Sequence, residues 1–305
     1  MYRYLCIPFL WIAITSHAQS QVEVKVDQNN QGEFVFTGTN HAYCDYTIRI
    51  EFLTFQNLKT NKNLPFISSV LPGHQRLFEL EPVSDMLAPA FNFRYKTIKG
   101  RLKPDVDEEV IYLLPFKNGP VRVMPIERIE SLLGQKAPSG FKAIGFEMDH
   151  GDTVFACRRG VVSDIQEQTD SYHNTMNYFH NRNFVEIFHE DGSFAKYEPL
   201  AKEKLLVHPG DFIEAGDPIG IVDASEDNEH TVLIFSNFYL SEIDWDFKAK
   251  KSPYNFQSVT FFTSKNSEIR LVEGKQYYSD HAEEYIIQEM SKRERKKWKK
   301  EKVGI

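Results

Sequence analysis

Gly151–Ile165 (GDTVFACRRGVVSDI), Asn183–Leu200 (NFVEIFHEDGSFAKYEPL) and Leu205–Val222 (LLVHPGDFIEAGDPIGIV) decide the fold. In each, a short run of β-branched and aromatic residues is closed by a turn: Val161 and Val162 follow Gly160, Phe184–Phe188 precedes Asp191-Gly192, and Ile219 follows Ala215-Gly216. Runs of this length bounded by glycine read as strands. Paired glycines at both ends of a short apolar strand permit positive-φ turns, which a compact β-barrel or sandwich needs at its corners.

Outward from this stretch, the same alternation fills the N-terminal third. Val22, Val24 and Val26 lie two apart, as do Phe34 and Phe36, then Tyr46, Ile48, Ile50 and Phe52, then Phe91, Phe93 and Tyr95. Asn29-Asn30-Gln31-Gly32 and Pro72-Gly73 supply turns, and Asn118-Gly119 reads as a hairpin between Leu113-Leu114 and Val121–Val123. Half-buried strands at this spacing suggest an immunoglobulin-like β-sandwich over residues 19–124. A connector follows at 125–140, with a short helix from Ile126 to Leu133 closed by Gly134. The second domain spans 141–276. Beyond it, at 277–305, Asp280 and Glu283 suggest a capping box, and Tyr285, Ile286, Glu289 and Met290 have helical spacing. The fold class is mainly β, with a C-terminal helix.

Composition narrows the function. A chain of 305 residues can bury two cores. Its net charge of −7 argues against nucleic-acid binding by the whole chain. That charge is uneven, because Lys292–Lys302 holds eight basic and two acidic residues. This tail reads either as a solvated helix end or as an electrostatic arm for an anionic surface. Residues 1–18 read as a cleavable export signal: Arg3, an apolar run from Leu5 to Ile14, and the small-residue exit Ser16-His17-Ala18. The alternative is an uncleaved anchor, for which the run is short. The mature protein is expected to be periplasmic or extracellular. Cys44 and Cys157 then remain, open to a disulfide but better read as two unpaired, buried thiols.

The framework from Phe141 to Phe238 resembles the lysostaphin/LytM-type zinc endopeptidases. Gly151–Ala156 with Arg159–Val162 is similar to that family's G-T-P-V-x-A … G-x-V hairpin. Phe184–His189 with Asp191-Gly192 is similar to its V-x-I-x-H-x-x-G strand, and Val207–Gly220 to its V-x-x-G-x-x-V-x-x-G-x-x-I-G segment. The resemblance implies a duplicated β fold and a zinc held by the His and Asp of H-x-G-x-D and the second His of H-x-H. A further His in Y-x-H-L and the first His of H-x-H assist the bound water. Carried onto this chain, the first pair falls on Ala143 and Glu147, the Y-x-H-L histidine on Pro199, and H-x-H on His230 and Val232.

A catalytic zinc needs about three protein ligands and an open position. Alanine and valine offer no lone pair. The resemblance therefore implies a scaffold without its metal site: no cofactor, no catalytic residue, and a role as an envelope-binding or regulatory module, as degenerate members of the family have. Its partner would be an envelope protein or peptidoglycan. The alternative is a zinc endopeptidase with an atypical site, for which Asp149, His150 and His189 are the weak candidates. His173 and His180 fall in a polar loop over the groove.

Overall fold

The computed structural model describes residues 21–117, 119–125, 140–167, 182–222, 230–243, 245, 252–264 and 267–303. The export signal, the connector helix and the loop bearing His173 and His180 lie outside these residues. Among the described residues no helix is long and apolar enough to cross a membrane.

The alternating residues of the first third form two facing antiparallel sheets. One has the order Val22–Gln28, Phe34–Asn40, Gly73–Pro82, Leu58–Lys59, and the other Phe66–Val70, Tyr46–Gln56, Ala90–Lys99. Side chains two apart share a face, so Phe36, Ile48, Ile50, Phe78 and Leu80 meet in one core. Phe36 stacks on Phe78 with ring centroids 4.5 Å apart. The strands before and after Pro72-Gly73 belong to different sheets, so that turn carries the chain across the sandwich.

The second body is built on a nine-stranded sheet. Its path runs Phe212–Ile213, Gly160–Gln166, Phe184–Phe188, Ser193–Glu198, His230–Leu240, Ile144–Asp149, Pro120–Met124, Gln276–Tyr278, with Tyr254–Gln257 paired beside His230–Leu240. Two three-stranded sheets complete it: Thr153–Phe155, Pro218–Val222 and Leu200–Leu205, and then Ser267–Ile269, Thr260–Thr263 and Ile111–Tyr112. One face of the large sheet supplies Phe146, Val162, Ile187, Tyr197, Leu233 and Phe235 to a core shared with Val154, Ile219, Val222, Tyr112 and Phe261. Gly160 shows why the framework glycines matter here. A Cβ at this position would collide with the carbonyl oxygen of Phe188 and stand 2.6 Å from Ile187 Cγ2, so only glycine lets the two strands close.

Two sequence expectations are corrected. Residues 110–124, assigned to the sandwich, belong to the second body: Val110, Tyr112, Leu114, Phe116, Val121 and Val123 all lie in its core. Nor do Leu113-Leu114 and Val121–Val123, which flank Asn118-Gly119, pair with each other, while Asn118 itself lies outside the described residues. Ile111–Tyr112 pairs in parallel with Thr260 and Phe261, whereas Pro120–Met124 pairs with Ile144–Asp149 and Gln276–Tyr278. Gly119 does take the left-handed conformation, φ +66°. A turn signal does not choose which neighbour a flanking apolar strand pairs with.

The C-terminal helix is also displaced. The short helix Glu283–Ile286 has Ala282 at its N-cap with no side-chain cap, so Asp280 does not start it. The capping box forms at the next helix, Lys292–Val303. There the backbone N–H of Ser291 donates to Glu294 at 2.7 Å, and that of Glu294 to Ser291 Oγ at 3.3 Å. Cys44 and Cys157 are both buried and unpaired.

Candidate functional site

The face of the large sheet opposite the core holds the site positions. Strand Ile144–Asp149 pairs antiparallel with His230–Leu240 in a register that sets Gly145 opposite Ile234, Glu147 opposite Val232 and Asp149 opposite His230. Ser193–Glu198 flanks the other side, with Glu198 opposite Ile234. Because alternate residues share a face, Glu147, Val232, Ile234 and Glu198 line one surface. Ala143, just before the first strand, joins them. Ala143, Val232 and Phe141 pack against the buried Ile234. Pro199 follows Glu198 through a cis peptide bond at the same end of its strand.

The sequence-assigned positions are therefore neighbours, and what they build is an apolar cluster edged by carboxylates. This donor set does not fit a zinc ion. Of the three ligand positions only Glu147 carries a lone pair, and its two companions are packed hydrocarbon. Among the described residues no three His, Cys, Asp or Glu side chains converge as a metal-binding group.

The atypical-site candidates do not come together. Phe188 pairs with Phe194, and Phe194 with Phe238, while Asp149 pairs with His230 at the far end of that same strand. Eight strand positions, about 26 Å at about 3.3 Å each, separate the His189 end from the Asp149 end. His189 is fully buried and packs edge-on to Tyr112, with ring centroids 6.1 Å apart. Its Nδ1 lies 2.7 Å from the carbonyl oxygen of Arg159, so that nitrogen is the donor. Burial, and then the Arg158 charge, push its pKa down to about 3. His189 is thus a neutral core histidine. His150 lies exposed in the turn after Asp149.

Farther along this face the N-terminal sandwich is docked. Phe188, Phe194 and Phe238 form a small core with Cys44, and Ala42 and Tyr46 pack against it. Beside this core, Lys99 reaches across to Glu186 at 2.6 Å and Asp164 at 3.1 Å. Ser163 Oγ donates to Glu186 at 2.7 Å. The two carboxylates outweigh burial and raise the Lys99 pKa, so the ammonium stays charged. Arg101 closes the seam through Asp45 at 2.7 Å and the Glu190 carbonyl at 2.8 Å. Phe141 meets Phe256 edge-on at 4.9 Å, and Phe256 in turn meets Phe238 at 5.4 Å, so the apolar cluster runs on into the seam. The rest of the face is an apolar surface edged by Glu147 and Glu198, bounded at one end by the sandwich.

Arg158, in a segment read from sequence only as hairpin framework, is 1 % exposed yet fully partnered. Its guanidinium grips Glu289 through Nε at 3.0 Å and Nη2 at 2.6 Å, and donates from Nη1 to Asp191 at 2.8 Å and to the Tyr112 hydroxyl at 3.1 Å. Asn237 Nδ2 donates to the same hydroxyl at 3.0 Å. This hub ties the C-terminal segment to the barrel, together with Gln288, which brackets the backbone N–H and carbonyl of Ile111. Nothing in the local pattern around Arg158 signals it, since its partners lie 33 and 131 residues away.

Residues 139–242, about a third of the chain, match the model of peptidase family M23. Among solved structures, lysostaphin aligns at 22 % identity over 33 % of this chain and 38 % of its own, with a TM-score of 0.26. The chain thus spans well under half of lysostaphin. A putative peptidase M23 from Pseudomonas aeruginosa aligns at 13 % identity over 69 % of this chain and 90 % of its own, TM-score 0.29. A zinc-containing peptidase from Vibrio cholerae aligns at 12 % over 71 % and 74 %, TM-score 0.31. No curated protein matches the sequence. Ala143, Glu147, Pro199 and Val232 all lie within the segment that matches the peptidase family M23 model.

Proposed function

We propose that this M23-type domain is non-catalytic and serves an exported protein as a binding or regulatory module of the cell envelope. One observation carries the reading: the positions corresponding to two zinc ligands, Ala143 and Val232, are packed with Phe141 onto Ile234. Apolar side chains buried against one another neither bind a cation nor present an open coordination position. The apolar surface they form is edged by the Glu147 and Glu198 carboxylates, which suits recognition of a peptide or peptide-bearing polymer better than cleavage of one. The partner class, an envelope protein or peptidoglycan, is inferred from the family's substrates.

The test combines metal analysis, turnover and binding on the purified chain. The expected result is substoichiometric zinc, no release of muropeptides from purified peptidoglycan, and retention of the protein on that peptidoglycan or on an envelope partner. Stoichiometric zinc with peptide-bond hydrolysis abolished by a chelator would overturn the reading in favour of an atypical endopeptidase.

A further inference from the structure

Charge on this chain is segregated. Of 36 basic and 43 acidic residues, Lys292–Lys302 holds eight and two, leaving 28 basic against 41 acidic elsewhere. The helix Lys292–Val303 therefore stands as a cationic rod on an acidic body.

The rod is held from one side. Glu294 pairs with Arg159 at 2.9 Å and Lys299 with Glu283 at 3.2 Å. Arg295 donates to the carbonyls of Gln288 and Met290 at 2.8 and 2.9 Å, and Lys302 lies 4.4 Å from the ring centre of the half-buried Trp298. At 3.6 residues per turn, Arg295, Trp298, Lys299 and Lys302 share the side turned toward these partners. Lys292, Arg293, Lys296 and Lys300 fall within an arc of roughly 100° on the other side, along about 12 Å of axis. All four are exposed, and among the described residues none makes an ion pair or hydrogen bond through its side chain.

We infer that this outward stripe of Lys292, Arg293, Lys296 and Lys300 is a docking site for an anionic lipid bilayer surface. A plane tangent to the helix reaches all four cations at once. The acidic remainder is repelled by an extended negative plane, so the same field that draws the helix in turns the body away. Between Lys292 and Lys302 the arc carries no apolar side chain, with Val303 its single apolar position at the helix end, and Trp298 is half-buried on the side of the body. Contact therefore stays at headgroup depth, without insertion, and is reversible and salt-sensitive. The inference is independent of the proposed function, because none of these residues lies on the face that carries Glu147 and Val232.

Vesicle co-sedimentation tests it, using the purified chain with phosphatidylcholine vesicles and with vesicles containing phosphatidylglycerol as well. Binding is expected only to the anionic vesicles and to vanish at roughly 0.5 M salt, where the screening length is only a few ångströms. The variant Lys292→Gln/Arg293→Gln/Lys296→Gln/Lys300→Gln should lose about five-fold in partitioning per cation, several hundred-fold in all. A control of equal charge change, Lys25→Gln/Lys62→Gln/Lys204→Gln/Lys275→Gln, should bind close to wild type, and circular dichroism should show both variants folded. Equal binding to neutral vesicles, or equal losses in the stripe and control variants, would overturn the assignment. Capture by immobilised polyphosphate without vesicle binding would overturn it too, transferring the stripe to a linear polyanion.

Discussion

Glu147 stands directly across from Val232 on paired strands, one carboxylate beside one isopropyl group, at two positions that the resemblance to zinc endopeptidases marks as ligands. Since the backbone already juxtaposes the positions, side chains alone decide whether a metal can be held there. The variant Ala143→His/Glu147→Asp/Val232→His should gain about one zinc per chain in a chelator-competition titration, while wild type takes up none stoichiometrically. Wild-type uptake equal to the variant's would refute the assignment of these positions.

Removing Arg158 should be far more damaging than removing any exposed cation. Arg158→Met leaves Asp191 and Glu289 buried without their counter-charge, a change that costs about 3–5 kcal/mol when one partner of a buried pair is deleted. Urea denaturation measures the loss. Limited proteolysis should show the segment after Tyr278 cut first, because Glu289 is one of the anchors holding it. A loss below about 1 kcal/mol would mean the hub contributes no more than an exposed pair.

The buried thiols set an alkaline limit. Burial, with Glu186 and Asp45 adding and Lys99 opposing, pushes Cys44 up from 9.0 to about 12. A raised acid pKa favours the folded state below the unfolded value and loses that advantage as pH rises through the folded one. Stability should therefore hold to about pH 9 and fall between pH 9 and 12. At neutral pH neither Cys44 nor Cys157 should react with a thiol reagent in the native protein, and both should react in guanidinium. Rapid native labelling of either residue would contradict the packing.

Gly160→Ala should misfold or strongly destabilise the second body. Its added methyl meets the Phe188 carbonyl and Ile187 across the strand pair, and backbone cannot yield as a flexible side chain does. Overpacking of this kind costs about 1–3 kcal/mol and sometimes more. Gly151→Ala is the informative comparison: nothing lies near its Cβ, so its cost is limited to the strain of φ +84°. Equal melting temperatures for the two variants would remove the steric argument.

Much of the architecture was legible because period-two alternation and glycine turns are local signals. The strands Val22–Gln28, Phe34–Asn40 and Ala90–Lys99 lie where Val24, Phe36 and Phe93 place them. Partner choice was not legible. Val121 and Val123 alternate equally well for a sandwich edge or for the nine-stranded sheet, and only the long-range register separates these. The capping box was misplaced because Asp280/Glu283 and Ser291/Glu294 both have the required spacing. Ser291 succeeds because Arg159 fixes Glu294 in place. At the site, the identities of Ala143, Pro199 and Val232 were readable, but their joint packing on Ile234 was not. The hub at Arg158 was invisible, since no local rule links it to Glu289.

The aromatic seam of Phe188, Phe194 and Phe238 against Cys44 bears on how this architecture can be taken apart. A fragment beginning after the sandwich would expose three rings and leave Glu186 and Asp164 without Lys99. The two bodies are consequently not interchangeable cassettes. They share a buried aromatic and ionic seam, in which the N-terminal third is part of the solvent shield of the other.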